Sequence, residues 1–263
     1  MELHPIRFDY PGDFDVMWQR RLPEFSCAAN GVSLLMPYVE PYVARSVRSA
    51  VDQLAEPLRS EAQIYVRQEG QHHAQHRRFN DLVVERFSGL AWLERCMAST
   101  YSWLERRGSL HFGLAFAAGF ETVAYAAARW VADNETEMLA GADETGSQLF
   151  LWHLAEEVEH KSVAIDVYRS LGGNKRTYVA AMVLSAVLLA VFAWLNTTTM
   201  LVATKRIFNP LAHLRLLKWT ISFLFELLPT MVMSVFPSHH PSHLADPLMY
   251  DIWIREHRPT DTK

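Results

Sequence analysis

The chain has 263 residues, a formal net charge of -4 and a sequence pI of about 6.3, which offers no basic field for nucleic acid. Half the residues are hydrophobic, enough for a sizeable core, and 11 Gly with 12 Pro argue against a loop-rich or all-β protein. Cys27 and Cys96 are too few and too far apart for a disulfide framework or a thiolate metal site.

The opening segment, MELHPIRFDYPGDFD, is polar and acidic, without a basic-then-apolar secretory signal, so a cytoplasmic location is expected. Residues 1–32 read as an irregular arm with Pro5, Pro11, Gly12 and Pro23 as breakers. From Ser33 to about Leu54 apolar residues recur at helical spacing, with Pro37 and Pro41 flanking Glu40 near the start. Pro57 opens a second long helical run to about Phe87, and a shorter one covers about Leu90 to Arg106. A third long run, about Ser109 to Leu139, is rich in small residues around Glu121, which permits close helix packing. A fourth, about Glu144 to Leu171, stops at Gly172-Gly173. No strand or hairpin pattern stands out, so residues 33–173 are expected to form an all-α, ferritin-like four-helix bundle.

Residues 174–263 change character. Tyr178 to Thr204 contains no charged residue, and Trp219 to Phe236 is interrupted only by Glu226 and Pro229. Runs of about 20 apolar residues can span a bilayer, so residues 178–236 are expected either to associate with a membrane or to pack as hydrophobic helices on the bundle. Basic pairs flank the first run on both sides, so the positive-inside rule does not orient it. Three histidines in the Ser238–Asp246 segment lack the flanking pattern of a zinc site.

Two Glu-x-x-His tetrads stand out, Glu69–His72 and Glu157–His160, each preceded by a candidate partner, Glu40 or Glu121. Residues three apart share a helix face, so one tetrad can present a carboxylate and an imidazole to the same ion. At about 100° per residue, His153, Glu157 and His160 fall within roughly 60° of one another. The candidate metal ligands are therefore Glu40, Glu69, His72, Glu121, His153, Glu157 and His160. Four carboxylates with imidazoles and no thiolate suit two iron ions, or manganese, and offset most of the charge of two divalent cations. Glu121 is the sharpest case, because an unpaired carboxylate among Ala, Gly and Phe is costly to bury. His73 and His76 share part of the Glu69 face and are expected to support the ligands or face solvent. Glu156 and Glu159 are expected to face solvent or bridge to basic residues, and Asp166 to help orient a ligand.

From about Ile6 to Pro247 the chain resembles a bacterial family of predicted metal-dependent hydrolases, through Glu-Glu-x-Glu-His-Lys at 156–161 and the His-Pro element at 240–241. At the latter, the family's Phe-His-Pro-Trp-Asp-like run is replaced by His-His-Pro-Ser-His. The ligand pattern alone, ending in His153-x-x-x-Glu157-x-x-His160, also resembles p-aminobenzoate N-oxygenase, a di-iron protein. That second resemblance implies an O2-dependent oxidase or oxygenase with O2 as co-substrate, an apolar small-molecule substrate and an electron donor. Hydroxylation, N-oxygenation or desaturation are the reactions it suggests. The alternatives are a binuclear metal-dependent hydrolase and a non-catalytic iron-binding or membrane-associated protein. Bundle proteins of this kind suggest a homodimer by analogy.

Overall fold

The computed structural model describes residues 3–236 and 240–257, and among these there is no strand. The element order is α1 (Pro23–Ser33), α2 (Met36–Arg48), α3 (Leu58–Arg86), α4 (Leu90–Arg107), α5 (Leu110–Leu139), α6 (Glu144–His160), α7 (Val163–Ser170), α8 (Lys175–Ala203), α9 (Pro210–Ser234) and α10 (Leu248–His257). Four of these, α2, α3, α5 and α6, carry the candidate ligands. They form the centre of an all-α bundle in which α2 packs on α3 and α5, and both α3 and α5 pack on α6 and α7.

Local chemistry sets the helix ends. Side chains of Ser109, Asp143, Asn174 and Asn209 cap α5, α6, α8 and α9 by accepting backbone N–H groups of the first turn. Pro37 sits in the first turn of α2, where its missing N–H costs nothing, but Pro41 lies inside the helix. Pro41 cannot donate to the Pro37 carbonyl, which therefore lacks its usual intrahelical donor.

Three sequence expectations change. The N-terminal arm is not irregular throughout, because Pro23 starts α1 instead of breaking structure. Before α1, Trp18 is buried and donates its indole N–H to Asn30 Oδ1 (3.0 Å), while Gln19 donates to the Met138 carbonyl (2.5 Å). The first bundle helix ends at Arg48, short of Leu54, and Val51–Gln53 form a 3-10 turn. The fourth run breaks just after His160, where Lys161 and Ser162 separate α6 from α7.

The apolar helix α8 is half a core element. It packs against both α1 and α5, with Asn196 donating to the Gly31 carbonyl (3.0 Å) and Thr197 to the Cys27 carbonyl (3.3 Å). Toward its other end, a small residue on α5 decides the spacing between the two helices. A Cβ on Gly119 would lie 2.4 Å from the Met182 Cα, a backbone atom that cannot move alone. One further lock ties α9 down: the fully buried Glu24 of α1 accepts from Arg206 (3.2 Å) and Arg215 (2.6 Å).

Gly119→Ala is therefore expected to push α8 off α5 and destabilise the fold by about 1–3 kcal/mol. Urea unfolding checks this, and an unchanged midpoint would refute the close approach.

Candidate metal centre

The structure brings all seven sequence-derived candidates into one buried cage. Glu40 projects from α2, Glu69 and His72 from α3, Glu121 from α5, and His153, Glu157 and His160 from α6. None is more than 8% exposed, so bulk water solvates none of the four carboxylates. His160 Nδ1 lies 3.1 Å from Glu69, 3.6 Å from Glu157 and 3.8 Å from Glu121. His72 Nδ1 lies 3.5 Å from Glu157 and 3.8 Å from Glu69, and His153 Nε2 lies 2.9 Å from Glu157 and 3.5 Å from Glu40.

Eight of these inward-facing atoms lack an aligned hydrogen bond: both carboxylate oxygens of Glu40 and of Glu69, one oxygen each of Glu121 and Glu157, and Nδ1 of His72 and of His160. A fully buried acceptor without a partner costs about 1–3 kcal/mol, and more when charged. Eight in one spot describe an electron-pair cage that a cation would satisfy. One ligand atom each from Glu69, His72, Glu157 and His160 lie within 4.8 Å of one another, as do one each from Glu40, His76 and His153. Donors around a single zinc-like ion, bound at about 2.0–2.2 Å, are at most about 4.4 Å apart, so each group is close to the size of a single-ion site. Each group is a candidate site for one ion.

The outward-facing atoms are held. His72 Nε2 meets Glu156 Oε2 at 2.9 Å, and His160 Nε2 meets Gln68 Oε1 at 3.2 Å. Both rings therefore turn Nδ1 inward, the arrangement by which outer partners orient metal-binding imidazoles. The Tyr65 hydroxyl donates to Glu121 Oε1 (2.5 Å), leaving Oε2 facing His160. Gln68 in turn donates to Glu159, which also accepts from Tyr250 (3.0 and 3.1 Å). Glu156 and Glu159 are thus not solvated side chains, and their partners lie on α3 and α10. Asp166 does not reach the cage; it pairs with His240 (2.7 Å). Ser238 and His239 lie outside the described residues.

His76 was expected to support the ligands or face solvent, and its ring is buried at the His153 end, with Nε2 only 2.7 Å from His153 Nδ1. Its tautomer follows from a relay. The Asn80 amide donates to the Ser33 carbonyl (2.8 Å), so its oxygen can only accept the Ser33 hydroxyl proton (2.6 Å). Ser33 Oγ must then receive the proton on His76 Nδ1 (2.8 Å), which leaves Nε2 to accept from His153 Nδ1 and turns His153 Nε2 toward Glu157 and Glu40. Positions 69, 72 and 76 share a helix face, so the signal was present in the spacing.

Charge is distributed unevenly. Burial raises the Glu40 and Glu121 carboxyls well above their usual range, with neighbouring carboxylates adding to the effect. Burial acts the same way on Glu69 and Glu157, but the neighbouring imidazoles outweigh it and hold both below the ordinary value, Glu157 well below. Burial opposes charge on His72, yet Glu156 and Glu69 raise it to about 10; Glu157 and Glu69 likewise hold His160 well up. His76 and His153 are pushed down by burial and by neighbouring cationic imidazole, into the neutral form that can ligate.

Residues 2–245 match the family described as predicted metal-dependent hydrolase. The chain belongs to that family. No curated protein and no solved structure matches it. The family description and the carboxylate–imidazole clusters agree on metal dependence.

Ligands must be deprotonated to bind a metal, so loading at neutral pH is expected to release protons from Glu40, Glu121, His72 and His160. Calorimetry in buffers of different ionisation enthalpy measures this; a buffer-independent heat would refute these charge states. The metal-free fold gains from the raised His72 most fully below the ordinary histidine range, and that gain is lost as pH climbs toward about 10.

Proposed function

We propose that the cage binds two metal ions and that the protein is a dinuclear metal-dependent hydrolase. The eight unpartnered inward-facing atoms support the metal content, and the family description favours hydrolysis over the O2-dependent chemistry that the ligand pattern resembles. Two ions in such a site supply Lewis acidity and a nucleophile at neutral pH.

The chain's own residues prepare that chemistry. Glu69 and Glu157 lie between the imidazoles His72 and His160, and these four residues would form the first donor group. Glu40, His76 and His153 form the second donor group, and Tyr65 fixes one oxygen of Glu121 so that the other stays free. On the α2–α3–α4 side a cleft of about 450 Å³ borders Glu69, whose side chain is itself fully buried. Pro37, Pro41, Ala44 and Tyr101 make much of its wall apolar, with Arg45, His73 and Ser102 as polar points. A small, mostly apolar substrate with one polar reacting group suits this cleft.

A second reading, O2-dependent oxidation at two iron ions, is favoured by the near-complete enclosure of four carboxylates, which excludes bulk water from the cage. It would require an electron donor. Protein loaded with manganese or zinc and assayed anaerobically against small esters and phosphoesters separates the two. Turnover there supports hydrolysis, whereas O2 uptake by the ferrous protein without anaerobic turnover supports the second reading. Metal analysis should give two ions per chain, falling to about one in Glu121→Gln or His76→Ala; no bound metal in the parent protein would remove both readings. Glu156→Gln, which removes the charge behind His72, is expected to weaken metal affinity about 10- to 100-fold.

A further inference from the structure

Helices α8 and α9 are long and apolar enough to cross a membrane by length and composition. We infer that they instead lie flat on an anionic lipid surface, presenting one outward apolar face with a cationic rim. Three observations support this.

The first is where the exposed apolar side chains sit. Sixteen of the 21 large hydrophobic side chains exposed among the described residues fall between residues 175 and 236, so exposure is concentrated in this hairpin. On α8, Val183, Val187, Val191 and Trp194 recur at spacings of 4, 4 and 3, a single stripe opposite the buried Met182 and Ser185. On α9, Phe225 is 78% exposed, and at the turn between the helices Phe208 is 84% exposed. Both helices pack on α5, the turn joins them at one end, and Ser234 touches Met182 while Lys175 lies over the Phe236 ring at the other. A soluble monomer rarely leaves so large an apolar face uncovered.

The second is charge. Residues 175–236 contain six Lys and Arg and one acid, Glu226, a net of +5, so the other 201 residues carry -9 to give the total of -4. Glu226 is turned to Arg129 of α5, Arg206 and Arg215 to Glu24 and Lys218 to Glu137, which leaves the exposed Lys175, Arg176 and Lys205 as the cations at the ends of the hairpin. Basic residues beside an apolar face match anionic headgroups over acyl chains. A second copy of this chain would set one cationic rim against another in a two-fold contact.

The third excludes a spanning orientation. α9 is fastened along α5 by Leu227 on Val123, Glu226 to Arg129 (3.2 Å), Ser222 to Trp130 (2.9 Å) and Lys218 to Glu137 (2.8 Å). α8 is fastened to α1 and α5. Standing α8 and α9 across a bilayer would drag α5, with its charged pairs and Glu121, into hydrocarbon.

Flotation of the full-length protein with phosphatidylcholine vesicles, with and without phosphatidylserine, tests this. The protein should float with the mixed vesicles, and raising salt should lower binding roughly tenfold or more. Trp194→Glu with Phe225→Glu should abolish flotation while leaving helix content by circular dichroism and metal content unchanged. Equal binding to neutral vesicles, or resistance to alkaline carbonate extraction, would overturn the proposal. So would a lipid-free dimer, seen by ultracentrifugation, that the same double substitution dissociates.

Discussion

Four carboxylates buried in one interior are the constraint on which the rest depends. Like charges at this separation cannot all ionise in a dry cavity without compensation, and imidazoles supply only part of it. Glu69 and Glu157 take the imidazole contacts and stay low, which leaves Glu40 and Glu121 pushed high. A cage that satisfied itself would have closed its hydrogen bonds; this one leaves its inward atoms open and its outward atoms tied. That polarity, open inside and fixed outside, suits the metal dependence of the family.

Much of the cage was legible because its members report themselves locally. A Glu-x-x-His on an apolar helix needs only the helical period to be recognised, and Glu121 is exposed as functional by the Ala and Gly around it. What was not legible depends on partners distant in sequence. Glu156 adjoins Glu157 but points elsewhere, and only the arrival of His72, 84 residues earlier, explains its burial. His76 lay on a readable face, yet its tautomer is set by Ser33 and Asn80 on two other helical turns. The helix α1 escaped notice because Pro23 carries the same breaker signal whether it ends a segment or opens one.

The apolar C-terminal half shows the same limit from the other side. By length and composition alone α8 is a candidate membrane span. Its Asn196 and Thr197, which look like polar blemishes in an apolar run, are the groups that bind the carbonyls of Gly31 and Cys27. A helix can therefore be hydrophobic all round for two separate reasons, a core on one side and a second apolar phase on the other.

These two halves meet at α5. One face of this helix carries Glu121 into the cage, and Gly119, only two residues earlier, admits the backbone of α8. The spacing of α8 from the bundle and the position of a ligand oxygen are thus set within a single half-turn. Tyr178 of α8 extends the coupling, sharing a hydrogen bond with Thr122 (2.9 Å), the residue next to Glu121. Any force that shifts α8 acts on α5 at the point where Glu121 leaves it, so lipid contact of the kind proposed would act on the carboxylate cage through one short stretch of backbone.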